Sequence, residues 1–320
     1  MVRCHRTSPP LSATSARRAL ERVVRRLPGY SGSHHGRGIV ICAGGPTYFT
    51  NAWVCLNMLR HLGCILPVQL WHLGPDEMDD WMREQVAPLG ATCVDAQQVR
   101  QRHPCRILNG WELKAYALLH SPFQEVLLLD ADNVPVADPS RLFETPEFRD
   151  TGALFWPDIP TSRMDGRAWA LCGLPEMDVP PFETGQVALD KRRCWKALQL
   201  TLWLNEHSDF WYRHTLGDKE TFHLAWRKLG APFAMPRRWP RLLAATMCQH
   251  DFRDRVVFQH RNTAKWDLYR HNPRIAGFRF ERECLRYLAT LRRRRIRHRR
   301  NAGLAPERQA NPSPQGMAGT

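Results

Sequence analysis

Short apolar runs alternate with longer stretches of helical periodicity through residues 38–132. The run GIVICA predicts a buried strand over residues 38–43. TNAWVCLNMLRHLG then sets Trp53, Leu56, Leu59 and Leu62 on one helical face, opened by Thr50 or Asn51 and stopped by Gly63. PVQLWHLG reads as a second strand, PDEMDDWMREQVAPLG as a helix opened by Pro75 and acids, and ATCVDA as a third strand. GWELKAYALLHS predicts another helix and QEVLLLDAD a fourth strand. Such alternation predicts an α/β fold with a parallel sheet covered on both faces. Ligands of these sheets gather beyond the carboxyl ends of the strands.

The later half is less regular. TGALFWPD predicts a strand, FETGQVALDKRRCWKALQLTLWLNEH a turn, a strand and a long helix, and GDKETFHLAWRKLG a helix with Asp218 as its N-cap. RVVFQHRNTAKWDLYRH reads as a strand leading into a loop. There is no internal repeat.

At 320 residues the chain can bury a substantial core in one or two domains. Its formal charge of +15 suggests an acidic partner, so the location of that charge matters. Residues 1–37 hold eight Arg and one Glu, and residues 281–320 ten Arg and three Glu, which leaves 28 basic and 27 acidic residues between them. The body is therefore near neutral and the ends are basic. This divides the chain into a basic, flexible segment over 1–36, a folded unit over 37–290 and an Arg-rich disordered tail over 291–320. The N-terminal stretch also has the Arg- and Ser-rich composition of a transit peptide, although a solvated tail fits it better. Ten scattered cysteines without a CxxC pair read as reduced thiols of a cytoplasmic protein. No apolar run approaches the roughly 20 residues of a membrane helix, so a peripheral membrane contact is the most that is expected.

The chemistry centres on VLLLDADNVPV. Asp130 and Asp132 stand at i and i+2 where an apolar strand emerges, so both carboxylates leave on the same side. Like charges about 4 Å apart repel by roughly 4 kcal/mol at an effective dielectric of 20, which favours a shared proton or a cation beside them. Oxygen ligands of this kind suit Mg²⁺ or Mn²⁺ completed by substrate phosphates. The plainer alternative is a pair of solvated turn acids within DADNVPVADP.

Other candidates lie apart in sequence. His260, just past a strand, can add a nitrogen ligand, and Lys265 can neutralise a phosphate. Glu183 reads as part of a tight turn in which Gly185 allows close backbone approach. Lys114 lies on the helix before the aspartate strand, where a solvated charge is the simpler reading. Trp111 and Trp266 are singled out among the tryptophans for stacking on a sugar.

These segments, in this order, resemble the mannosyltransferase family typified by fungal Golgi α-1,3-mannosyltransferases. More distantly, the body from 38 to 272 is similar to the glycogenin-type retaining glycosyltransferases. The resemblance rests on GIVICAGGPTYFTNAWVCLNMLRHLG, LPVQLWHLG, WELKAYALLHSPFQEVLLLDADNVPVADPSRLFETPEF, FETGQVALDKRRCWKALQL, GDKETFHLAWRKLG and VVFQHRNTAKW. It implies a GT-A glycosyltransferase fold: a single Rossmann-like sheet for a nucleotide sugar, with an appended acceptor-binding half. It also implies Mn²⁺ or Mg²⁺ bound by Asp130, Asp132 and His260. By the same resemblance Lys265 meets the diphosphate, Lys114 lies near ribose or sugar, and Ala43, Gly44 and Tyr48 belong to the nucleotide loop. Glu183, Gln186 and Asp218 then line the transferred sugar. Two features depart from the pattern. The fungal members carry an N-terminal membrane helix, and the glycogenin-type lysine is flanked by Gly and Pro, which RNTAKW lacks.

The implied reaction moves a hexose, mannose in the first instance, from a nucleoside diphosphate sugar to a hydroxyl with retention. GDP-mannose is the expected donor, with a UDP-sugar as the alternative, and a glycan or glycolipid the expected acceptor. Either the leaving phosphate takes the acceptor's proton on the front face, or Glu183 acts as a nucleophile. A haloacid-dehalogenase-type phosphatase also uses a DxD after a strand, but there it follows the first strand and is succeeded by Gly or Thr. The basic ends suit an anionic membrane surface as an accessory role, with no dedicated nucleic-acid partner.

Overall fold

A computed structural model describes residues 11–303. Its strands are β1 (Arg37–Cys42), β2 (Val68–His72), β3 (Ala91–Asp95), β4 (Glu125–Asp130), β5 (Asn133–Pro135), β6 (Ala153–Pro157), β7 (Phe182–Asp190), β8 (Arg241–Leu243), β9 (Thr246–His250) and β10 (Val256–His260). Six of them form one sheet in the order β3-β2-β1-β4-β7-β6. The first four in that order are mutually parallel, as the βα alternation predicts. The sheet as a whole is mixed, because β7 runs antiparallel between β4 and β6. β6 is buried throughout and β7 along all but its last residue, so their apolar composition alone does not reveal strand direction.

Burial on both faces explains the continuous apolar runs. Along β4, Val126 and Leu128 join one core cluster and Leu127 and Leu129 the other. Val40 on β1 likewise faces one cluster while Ile39 and Ile41 face the second. A smaller antiparallel sheet, β5-β10-β9-β8, begins directly after Asp132. In it Asn133 of β5 pairs with His260 of β10, which brings the two distant motifs to one place.

The ends differ from the sequence reading. Within the first 36 residues, Ala13–Val24 form a helix with a capping box between Ser12 and Ser15. Its Ala16 and Leu20 are fully buried in the core, so the Arg-rich composition conceals an apolar stripe. The last helix, Glu281–Asn301, runs past residue 290 and buries Cys284, Leu288 and Leu291 in the second cluster. It packs on the helix Gly45–His61, where Trp53 Nε1 donates to the Tyr287 carbonyl at 3.0 Å. Residues 292–294, 297 and 300 of this helix are exposed arginines. Residues 1–10 and 304–320 lie outside the described residues.

The nine described cysteines are free thiols. Among the described residues no helix is long and apolar enough to cross a membrane.

Candidate active site

Asp130 closes β4 and Asp132 follows two residues later, at the carboxyl end of the parallel strands. Because β5 leaves from Asp132 to pair with β10, His260 arrives at the same edge. Its Nε2 lies 3.2 Å from Asp132 Oδ1 and 3.7 Å from Asp130 Oδ2. One ligand atom from each of the three residues falls within a 4.8 Å cluster, the only such metal-capable group among the described residues.

The other ring nitrogen has a separate partner. His260 Nδ1 stands 3.3 Å from Glu183 Oε1, on the neighbouring β7. The same carboxylate accepts from the Gly185 amide at 2.7 Å, and its Oε2 accepts from Gln186 Nε2 at 2.6 Å. Asn133 Nδ2 closes this buried network by donating to Gln186 Oε1 at 2.7 Å and to the Gly185 carbonyl at 2.9 Å. With the Glu183 carboxylate beside Nδ1, Nε2 is left to face the aspartates, which resembles the disposition around metal-bound histidines. Glu183 therefore sits in a strand rather than the expected turn. Gly185 does permit a close approach, but to the imidazole of His260: a Cβ there would come 2.6 Å from Nδ1.

Two lysines flank the acids. Lys265 Nζ donates to Asp132 Oδ2 and, at 3.0 Å, to the Asn262 carbonyl. Lys114 Nζ lies 2.8 Å from Asp130 Oδ1 and 3.5 Å from Asp218 Oδ2, so this helix lysine is an internal counter-ion. Asp218 is the first residue of the helix Asp218–Leu229 and does not cap it, since Gly217 holds that position. Its carboxylate instead accepts from Thr184 Oγ1 at 2.9 Å.

The electrostatics follow from this crowding. Burial alone would lift the Asp132 carboxyl, but His260 and Lys265 override it and hold the group far below the usual carboxylate range. Burial would lower His260, yet Asp132 and Glu183 raise it well above an ordinary histidine. Lys114 is likewise raised, with Asp130 and Asp218 outweighing its desolvation. The Asp218 carboxyl is pushed up by burial, against the pull of Lys114. Four carboxylates thus face two lysines, and a divalent cation on a neutral His260 would balance the charge. To ligate, His260 gives up its Nε2 proton. The donor set of two hard oxygens and one imidazole fits Mn²⁺ or Mg²⁺.

The loop expected at 43–48 is partly helical. Ala43 is buried after β1, and Gly44 caps the helix that starts at Gly45. At Gly44 a Cβ would meet Glu77 Oε2 at 1.9 Å, so a side chain there would require Glu77 to move. Tyr48 is largely exposed, with Lys265 Nζ 5.9 Å from its ring centroid. Trp266, by contrast, is 1% exposed and covered by the Arg261 guanidinium at 3.7 Å, which removes it from sugar stacking. Its backbone is tied to the helix Gly45–His61 by reciprocal hydrogen bonds with the Asn51 side chain.

Sequence reasoning missed Asn133 and Thr184, whose roles arise only from strand and helix neighbours. Asn133 did carry a signal, since it follows the aspartate pair directly.

A family model described as "Mannosyltransferase putative" matches residues 36–172 and 176–247. Among curated relatives, the α-1,2-mannosyltransferase MNN5 of Saccharomyces cerevisiae is 25% identical over 291 residues, covering 72% of this chain and 49% of that protein. The α-1,2-mannosyltransferase MNN22 of Candida albicans is 31% identical over 183 residues, covering 52% of this chain and 30% of that protein. The chain spans about half or less of the length of these relatives, and their names specify 1,2 rather than 1,3 linkages. Similar solved structures include the galactosyltransferase LgtC, with a TM-score of 0.43, 13% identity and coverage of 62% of this chain and 73% of that one. Mouse xyloside xylosyltransferase 1 gives a TM-score of 0.44, 15% identity and coverage of 62% and 85%. With the family model matching more than half of its length, the chain belongs to the mannosyltransferase family.

Proposed function

We propose that the chain is a GT-A glycosyltransferase that moves mannose from GDP-mannose to a hydroxyl of a glycan or glycolipid, with retention of configuration. The observation that carries this reading is the convergence of Asp130, Asp132 and His260 within 4.8 Å, between Lys114 and Lys265. These three ligands would hold Mn²⁺ or Mg²⁺, which when bound supplies positive charge to the leaving diphosphate.

The remaining work falls to the chain's own side chains. Lys265, partly exposed beside Asp132, takes up charge on the departing phosphate. Lys114 stands between Asp130 and Asp218 as their shared counter-ion, and Asp218 holds a hydroxyl of the transferred sugar. Both oxygens of Glu183 already accept local hydrogen bonds while one faces His260, which favours a positioning role over a nucleophile. Gln186 has both ends of its amide in the same network and acts alike. This supports the front-face route. The bond from the anomeric carbon to the phosphate oxygen breaks, a bond to the acceptor oxygen forms on the same face, and the acceptor's proton goes to the departing phosphate.

Mannose transfer from GDP-mannose with MnCl₂, with the product's anomeric configuration read by NMR, tests the proposal. Asp132→Ala is expected to lower transfer by at least about a hundredfold. Full activity of that variant, or of the wild type in excess EDTA, overturns the metal-dependent reading.

A further inference from the structure

We propose that the exposed indole of Trp111 is the platform on which a hexose ring of the acceptor stacks. This rests on the glycosyl-transfer reading and names the part of the site that meets the second substrate.

The site is ordered by its contacts. Tyr48 neighbours Lys265, Lys265 pairs with Asp132, His260 bridges Asp132 and Asp130, Lys114 joins Asp130 to Asp218, and Gly217 precedes Asp218 and touches Trp111. The series ends in an exposed aromatic at each side: Tyr48 is 45% exposed and Trp111 54%. Between them Asp132 and Asp218 are nearly sealed, at 3% and 6%. The end at Tyr48 adjoins the helix N-terminus after β1, the expected nucleotide side. Trp111 is the last member of this contact series, next to Asp218 among the residues assigned to the transferred sugar. An acceptor must reach the donor sugar from outside after the nucleotide is seated, and an exposed aromatic next to Asp218 suits that approach.

Trp111 is also held for such a task. It stands at the N-cap of the helix Glu112–His120, and its carbonyl accepts from the Lys114 amide at 3.1 Å, one turn before the lysine that pairs with Asp130. Gly217 lies against one side of the indole, where a Cβ would come within 2.8 Å of the ring. Gly217 adopts φ +126°, a conformation that favours glycine and allows that contact. The Tyr212 ring supports it at a centroid distance of 6.2 Å. A large apolar surface kept exposed and fixed from behind is preorganised for a flat ligand face, and the C–H face of a pyranose matches it.

The test uses the full chain loaded with GDP and Mn²⁺, titrated with methyl α-mannoside as the probe. Binding is followed by calorimetry in the wild type, Trp111→Ala and Trp111→Phe. Trp111→Ala is expected to weaken methyl α-mannoside about tenfold and to keep the wild-type affinity for GDP, and Trp111→Phe to recover most of the loss. Unchanged saccharide affinity in Trp111→Ala, or a parallel loss of GDP affinity, overturns the platform alone. A wild type that binds neither GDP nor the saccharide overturns the transfer reading, and the platform with it.

Discussion

Gly185 of β7 lies directly against the imidazole of His260, at a distance where even a methyl group would intrude on Nδ1. The contact fixes the ring between Glu183 on one side and the aspartates on the other. Gly185→Ala should therefore displace the ring without emptying the core. Mn²⁺ affinity measured by calorimetry in the presence of GDP is expected to fall about 10- to 100-fold. The far-ultraviolet circular dichroism should stay unchanged. Wild-type Mn²⁺ affinity in Gly185→Ala would show that the close contact has no part in positioning the ligand.

Lys114→Met removes the shared counter-ion of Asp130 and Asp218 and leaves two neighbouring acids uncompensated. A loss of about 3 kcal/mol at neutral pH is expected in urea denaturation. Burial already raises the Asp218 carboxyl, and without Lys114 it would rise further. A folded-state pKa above the unfolded value penalises the ionised fold, and the penalty disappears as pH falls and the group is protonated in both states. The gap to wild type should thus narrow on acidification. A gap that is constant with pH would assign the loss to packing instead.

Lys191, the first residue of the helix Lys191–Asn205, is fully buried with no carboxylate partner among the described residues. Its Nζ donates to the Ser121 carbonyl at 2.5 Å and Ser121 Oγ at 2.9 Å. Desolvation lowers its pKa to about 7. Between that value and the unfolded lysine range the unfolded chain binds the extra proton, so stability rises with pH. Lys191→Met is expected to be more stable than wild type at pH 7, by ~2 kcal/mol, with the advantage shrinking toward pH 10. An advantage that grows over that interval would contradict the assignment.

The strand ends that carry the proposed site were legible because burial on both faces writes itself as VLLL and VVF, after which the polar residues must emerge at an edge. That reasoning reached Asp130, Asp132 and His260. It could not reach the environments of Glu183, Asp218 and Lys114. FETG has the composition of a turn, yet its glycine is small because a histidine from another strand packs on it. GDKE has the pattern of a cap, yet Asp218 turns to a lysine more than a hundred residues away. Trp266 offered no sign of the Arg261 stacked on it. The amino-terminal helix was obscured in another way: its three arginines surround only two buried positions, Ala16 and Leu20. Local pattern records which face a residue turns inward, whereas pairings across the sheet are settled by topology.

The hydrogen bond between Asp132 and His260 spans 128 positions of chain and exists only because β5 pairs with β10. Neither half of the polypeptide can form the ligand set alone, and a slip of one residue in that pairing would turn His260 to the other side of its sheet. If the three residues hold a cation as proposed, its affinity is a gauge of assembly: it would register whether the late strands have found their partners, and fragments that end before residue 260 should be blind to the ion.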